Sequence, residues 1–302
     1  MKPNWPKLSY EHEKETYKTL LLWMQVVGKI KIDKLPWINH AWHVTLRVTP
    51  TGLTTSEMQD GNQHFQIDFD FINHQLKIIT DSGEIRQFEL RGISVADFYR
   101  NIHKLLAELK IQVKINPIPN EIENAIPFYQ DEIHRSYDVK EIGNFHRALL
   151  NTQDVFTRFR AEFKGKCSPV HFFWGASDLA VSRFSGRKAP KHPGGVPNLP
   201  DWVAEEAYSQ EVSSAGFWPG SEALPYAAFY SYIYPEPNGF KDAPVKPSQA
   251  YYHQQLGEFI LPYEAVQQAE NPEETLLDFL HSTYDAAADL AKWDRDVLEV
   301  NK

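Results

Sequence analysis

A stretch near the middle of the chain, residues 168–195, concentrates side chains that can hold an anion or transfer a proton. It contains His171, His192, Arg183 and Trp174. A guanidinium group can bind an anion through two parallel hydrogen bonds, and an imidazole can give or take a proton near neutral pH. This composition favours a site for a small polar or anionic molecule, in which Arg183 holds the anionic group and His171 places a proton.

Whether these side chains meet depends on residues 175–178, Gly-Ala-Ser-Asp. In one continuous strand, His171 and Arg183 would lie about 40 Å apart, too far to share a ligand. If residues 175–178 form a turn, His171 lies opposite Ser182 and becomes a near neighbour of Arg183. The alternative is that His171 is a core histidine that is hydrogen-bonded to the backbone.

Glu211 is the second candidate for proton transfer, because it lies among small and aromatic residues in SQEVSSAGFWPG. A carboxylate in apolar surroundings has a raised pKa and suits acid–base chemistry; a solvent-facing Glu211 is the alternative. We expect Trp174, Trp218 and Tyr234 to form walls of the site. The proline-rich loop with His192 near its tip is either a lid or a fixed surface loop.

A metal-dependent hydrolase or oxygenase is the alternative function from the enzyme class. It would use His171, His192 and His253, with Glu211 or Glu258 as a carboxylate ligand. The chain has no His-Glu-x-x-His motif, and the separation of five residues between His253 and Glu258 matches neither a helix face nor a strand face. No metal ligand and no cofactor is therefore assigned. A scaffold without a small ligand is the third alternative, and it predicts a closed groove and a large exposed apolar patch.

Charge and cysteine content narrow the classes of partner. The 302 residues include 31 Lys and Arg against 40 Asp and Glu, a net charge of −9, which disfavours a nucleic-acid binder. The single cysteine, Cys167, excludes an internal disulfide and suits a reducing compartment. The chain shows no signal-peptide pattern, and its apolar runs are too short to span a bilayer. We expect a cytoplasmic protein that binds neither nucleic acid nor membrane, and the oligomeric state is open.

Hydrophobic periodicity predicts an α+β fold in which each half reads helix, antiparallel meander of four strands, helix. The predicted helices cover residues 9–30, 94–109, 139–163 and 273–293. The predicted strands fall within 43–49, 65–71, 76–80 and 85–90, then 170–184, 208–217, 227–234 and 258–261. The proline-containing segment between the halves predicts units at 1–118 and 135–302, joined by a linker at 119–134.

The shared order of elements suggests an internal duplication. At an offset of 128 residues Glu13 aligns with Glu141, and His43 aligns with His171. Two such units could cover each other, and pockets tend to form where units meet. The second unit is longer because of two proline-rich loops, so we expect it to carry the site.

Several motifs resemble those of a known bacterial family. They are GKCSPVHFFWGASDLAVSRFSGR, HPGG, YSQEVSSAGFWPG and YPEP, together with NHAWHVTLRVTPTGLTTS and FQIDFDFINH in the first half. The chain resembles the family known as domain of unknown function 5996 over nearly its whole length. The resemblance implies a full-length member and no particular activity, so the site is argued from its chemistry.

Overall fold

The computed structural model describes residues 5–300. The first half begins with a long helix, continues through six strands and ends with a second helix. These elements are α1 (Tyr10–Lys34), β1 (Arg47–Thr49), β2 (Gly52–Thr54), β3 (Met58–Asp60), β4 (Gln63–Asp70), β5 (Gln75–Thr80), β6 (Ile85–Glu89) and α2 (Val95–Glu108). A 3₁₀ segment, Asn39–Val44, connects α1 to β1.

The six strands of the first half form one antiparallel sheet in the order β1-β2-β4-β5-β6, with β3 paired to β4. The two helices pack on one face of it through stacked rings: Trp23 of α1 lies 5.2 Å from Phe98 of α2, and Phe98 lies 6.0 Å from Phe69 of β4. Ser94 begins α2 with a reciprocal capping box to Asp97, which satisfies backbone donors that the first helical turn leaves unpaired.

The second half repeats this order with longer connections. Its elements are α3 (Val139–Ala161), β7 (His171–Phe173), β8 (Asp178–Lys188), α4 (Asp201–Ala207), β9 (Gln210–Trp218), β10 (Ala228–Tyr234), β11 (Tyr251–His253), β12 (Glu258–Pro262), α5 (Tyr263–Gln267), α6 (Pro272–Leu290) and α7 (Arg295–Leu298). The strands form a second antiparallel sheet in the order β11-β12-β10-β9-β8-β7.

The two faces of the second sheet have different coverings. One face is apolar, and α3 and α6 pack against it, as where Phe217 of β9 meets Phe145 of α3 with a ring distance of 6.3 Å. The opposite face carries Ser182, Ser214 and Tyr232 in directly paired positions of β8, β9 and β10. Loops, the short helix α4 and one side of α1 cover this polar face, and it is the surface on which a site can form.

The two sheets meet edge to edge. Leu46, just before β1, and Phe172 of β7 exchange two backbone hydrogen bonds, with N···O distances of 2.8 and 2.9 Å. One large hydrophobic core runs from Trp5 to Leu298 and includes residues of both halves. None of the helices in residues 5–300 is long and apolar enough to cross a bilayer.

The α+β class, the antiparallel sheets and the helix–meander–helix order of both halves are confirmed. Each half has six strands rather than the predicted four, because short strands such as β2 and β3 lie where the sequence shows only turn residues. The duplication is not established. The offset of 128 places His43, in a 3₁₀ segment, on His171, in a strand.

Candidate functional site

The polar face of the second sheet is the floor of a cavity of about 590 Å³, which we call the sheet cavity. Its floor comes from β8, β9 and β10, and three segments close it: residues 37–44, residues 120–121 and the loop with α4 at residues 192–208. Covering segments therefore come from the first half, the predicted linker and the second half together.

The floor is a ladder of hydroxyl groups produced by strand register. Ser182 pairs with Ser214, and Ser214 pairs with Tyr232. Because paired residues of an antiparallel sheet project from the same face, their side chains meet. The Ser182 and Ser214 hydroxyl oxygens are 2.9 Å apart, and the Tyr232 hydroxyl lies 2.8 Å from that of Tyr208 on the covering loop.

Asp178, at the first position of β8, is four residues before Ser182 and so projects from the same face of the sheet. The Tyr230 hydroxyl donates a hydrogen bond of 2.5 Å to its Oδ2. The Tyr230 ring lies over Gly216, where a Cβ would come within 2.2 Å of the ring. Gly216 therefore allows the tyrosine to lie flat enough to reach the carboxylate.

Two more carboxyl groups lie near Asp178. Glu121 lines the sheet cavity from the covering side. Glu258 is buried in β12, two residues before Ile260, which pairs with Tyr230. It therefore projects from the same face of the sheet, although it does not line the cavity. The three groups come from segments far apart in sequence and are brought together by the fold.

Burial raises the pKa of all three carboxyls. The pKa of Asp178 rises to about 6, with the hydrogen bond from Tyr230 acting in the opposite direction. Burial and then the charge of Asp178 raise the pKa of Glu121 to about 7 and that of Glu258 to about 8. By accessible surface area, however, Glu121 is exposed, Asp178 is half-buried and only Glu258 is fully buried, so solvent reaches Glu121 most easily. Within residues 5–300, no basic side chain neutralises any of the three.

Aromatic rings form the walls and the mouth of the cavity. Trp37 and Trp202 line the cavity in contact with each other, with a ring distance of 4.7 Å, and are 40% and 55% exposed. His192 stacks on Tyr208 at 4.6 Å. Trp174 packs against Gly28 of α1 and donates a 2.7 Å hydrogen bond from Nε1 to the Val44 carbonyl.

Hydrogen bonds hold the wall around Glu121 in place. The buried Gln25 amide of α1 accepts from the Asn120 N–H at 2.7 Å and donates to the Asn120 carbonyl at 3.0 Å. The Glu121 N–H donates to Pro197 at 2.8 Å, and the Asn120 side chain donates to Asn198 at 2.7 Å. Glu121 itself has φ +62°, a left-handed conformation that is uncommon outside glycine. Hydrogen bonds to α1 on one side and to residues 197–198 on the other therefore hold this wall in place.

The basic groups near the cavity are held by other partners. Lys29 donates to the Asn120 side chain, and burial lowers its pKa to about 8. Lys166 lies 2.6 Å from His40 Nε2 and can only donate, so Nδ1 of His40 carries the proton that is donated to the Ala207 carbonyl at 2.7 Å. Burial lowers the pKa of His40, in keeping with a neutral ring.

Arg183 does not reach the sheet cavity. It lies on the opposite face of β8, paired with Ser213, and is 2% exposed. Its guanidinium stacks on Phe159 at 3.4 Å and on Tyr284 at 4.3 Å, and donates to the Phe159 carbonyl. Burial lowers its pKa. Arg183 is therefore a core residue that packs between α3 and α6.

His171 is also buried, and the predicted register was wrong. The turn lies at residues 174–177, one residue before the predicted 175–178, so His171 pairs with Ala180 rather than Ser182. The ring packs against Phe173 at 4.8 Å and Trp42 at 6.1 Å, both of which line the cavity. Neither ring nitrogen has a hydrogen-bond partner, which differs from the expected backbone-bonded core histidine. Burial, followed by the charges of Arg47 and Lys31, lowers its pKa to about 3, so the ring is neutral.

The other sequence-based candidates are dispersed. Glu211 forms an ion pair of 2.6 Å with Arg187 outside the cavity. Trp218 lines a different cavity, whereas Trp174 and His192 line the sheet cavity. Tyr234 lies against His192 with a ring distance of 5.4 Å.

The three histidines of the metal hypothesis do not converge. His171 and His253 are on opposite edge strands of the second sheet, a separation of about 24 Å at the usual strand spacing. In the part of the chain that the structure describes, no three His, Cys, Asp or Glu side chains are grouped so that they could hold a metal ion.

Comparison with protein-family models identifies the family of the chain. The model of a family of unknown function, DUF5996, matches residues 5–300. The chain belongs to this family. The DUF5996 match spans both halves, so the sheet cavity and all three of its covering segments lie inside the family region. No curated protein and no solved structure matches the chain.

Sequence reasoning missed most of the cavity. Asp178 falls in the predicted turn and Glu121 in the predicted linker, and the sequence analysis gives neither of them a role in the site. One signal was present, since Tyr230, Tyr232 and Tyr234 alternate along a strand and so share one face.

Proposed function

We propose that the protein binds a small organic cation, such as a primary amine, in the sheet cavity. The observation that supports this is that two carboxyls, Asp178 and Glu121, line the cavity and a third, Glu258, is buried on the same face of the sheet. Their raised pKa values have no basic neighbour to oppose them in residues 5–300. A protonated amine supplies the missing positive charge. Binding would lower the pKa of the carboxyls beside it, because an opposite charge favours the ionised form.

The walls support the same ligand class. Trp42, Phe173, Phe184 and Trp202 line the cavity, and aromatic faces attract cations by about 0.5–2 kcal/mol each where water is excluded. The hydroxyl ladder adds acceptors for the remaining N–H groups of an ammonium.

The anionic ligand expected from the sequence has less support. Its proposed anchor, Arg183, is buried on the other face of the sheet. An anion in the sheet cavity would also lie near carboxyls that already oppose each other's ionisation.

Three ligands of similar size and different charge test the proposal: butylamine, butanol and butyrate, titrated by calorimetry. We expect butylamine to bind, and its affinity to rise as the pH increases from about 5 to about 8, because Asp178 and Glu121 ionise in that interval. Asp178→Asn should weaken butylamine at least ten-fold at the upper pH. Glu264→Gln, an exposed carboxyl on α5, is the matched control and should have no effect. Butyrate binding more tightly than butylamine would overturn the proposal in favour of the anionic ligand.

A further inference from the structure

A second cavity, of about 510 Å³, lies on the other side of Glu121, and we call it the helix cavity. It is enclosed by α1, residues 119–134, the turn before β8 and the loop after β9. Three residues line both cavities: Glu121, Gly175 and Ala176. The two cavities are therefore neighbours that share a wall.

The shared wall is thin because Gly175 has no side chain. A Cβ at this position would lie 1.9 Å from Oε1 of Glu121, so the carboxylate rests directly on the glycine backbone. Beside it, Ser177 has φ +62° and is buried, and its hydroxyl has no hydrogen-bond partner. The three residues that line both cavities lie in bend and turn segments, so no strand or helix belongs to the shared wall.

The lining of the helix cavity is mostly apolar, as is that of the sheet cavity. It includes Leu21, Leu22, Ile122, Ile126 and Trp218, with Asp131 and His134 among its polar members. The ion pair between Lys18 of α1 and Glu222, 2.9 Å long, crosses its outer side. An apolar chamber that adjoins a carboxylate is suited to the hydrocarbon part of a molecule whose charged end contacts that carboxylate.

We propose that the ligand is amphiphilic, with its ammonium group beside Glu121 and Asp178 and its apolar tail in the helix cavity. This inference rests on the proposed function and adds the ligand class to it. Each methylene buried from water contributes about 0.8 kcal/mol, which is roughly a four-fold gain in affinity per methylene.

The test is a series of linear primary amines from propylamine to octylamine, titrated against the full-length protein. We expect affinity to rise by roughly four-fold per methylene once the chain passes Glu121. Ala125→Trp fills the helix cavity, which Ala125 lines, without touching the sheet cavity. This variant should keep propylamine binding and lose the gain with length. Ala107→Trp, at an exposed site on α2, is the control and should behave as the wild type.

The outcomes separate the two proposals. If propylamine and octylamine both fail to bind, the proposed function is wrong. If propylamine binds but affinity does not change with chain length, or the gain persists in Ala125→Trp, the helix cavity is not the tail site. Should Ala125→Trp not fold, Ile126→Trp replaces it, and the wild-type series alone still decides whether a tail site exists.

Discussion

Replacing Glu258 by glutamine tests the central electrostatic claim, that a buried carboxyl is held uncharged on the face of the second sheet. Glu258 is 8% exposed, and burial together with Asp178 raises its pKa from 4.5 to about 8. Because the pKa is raised, the folded protein binds the Glu258 proton more tightly than the unfolded chain does. The resulting contribution to stability is complete below pH 4.5 and is lost as the pH increases through about 8. The glutamine side chain resembles the protonated carboxyl and cannot ionise.

The magnitude follows from the pKa shift. Relative to the unfolded chain, the carboxyl of Glu258 costs less than about 1 kcal/mol at about pH 5 and about 4 kcal/mol at about pH 8. Glu258→Gln should therefore match the wild type near pH 5 and exceed its stability by about 3 kcal/mol near pH 8. In thermal unfolding this corresponds to a Tm difference of roughly 6 °C that develops only at the higher pH.

The assay is circular dichroism melting at both pH values, with Glu264→Gln as the exposed control. A Tm difference that is the same at both pH values would refute the reasoning, because it would mean that ionisation of Glu258 does not affect stability. A similar pH-dependent gain in Glu264→Gln would show that net charge, rather than burial, is responsible.

The remaining predictions concern the two contacts that position the carboxyls. Tyr230→Phe removes the hydrogen bond that lowers the pKa of Asp178. The pH midpoint of amine binding should therefore move up by about one unit. An unchanged midpoint in calorimetric titrations would contradict the role of Asp178. Gly175→Ala places a Cβ against the Glu121 carboxylate and should lower the free energy of unfolding by about 1–3 kcal/mol and weaken amine binding. Gly143→Ala is the control, since this position in α3 has no atom within 4 Å of the new Cβ, and it should raise the free energy of unfolding by about 0.5–1 kcal/mol. If denaturant unfolding shows a similar loss of stability in both glycine variants, the steric explanation is contradicted.

Local patterns predicted the elements well because local forces determine them. The α3 helix was expected at 139–163 and is observed at Val139–Ala161, and Ser94 begins α2 as its capping residue. Short strands such as β3 have three residues, too few to show an alternating pattern, and they form only because β4 provides a partner.

The candidate site was harder to predict because it depends on register and on distant segments. His171 was expected opposite Ser182 and lies opposite Ala180, a shift of two residues that no local signal fixes. Glu121 reaches the cavity only because Gln25 and the loop around Pro197 hold its segment in place.

The burial of Arg183 was difficult to predict from the sequence for a different reason. Sequence reasoning treats an arginine as a surface or ligand-binding charge, since arginine is rarely buried without an acidic partner. Here three rings and a backbone carbonyl surround the guanidinium. The residues that create this environment are Phe159 of α3, Phe163 just after α3 and Tyr284 of α6. Tyr284 lies more than a hundred positions from the other two.

The contact between Leu46 and Phe172 has a consequence for how the chain avoids self-association. The strands β1 and β7 are each the last of their sheet, and an open edge is a template for pairing with other molecules. By meeting each other they protect one edge of both sheets at once. A chain cut within residues 119–134 would leave two fragments with exposed, complementary edges, so the products would tend to aggregate or recombine rather than persist as independent domains.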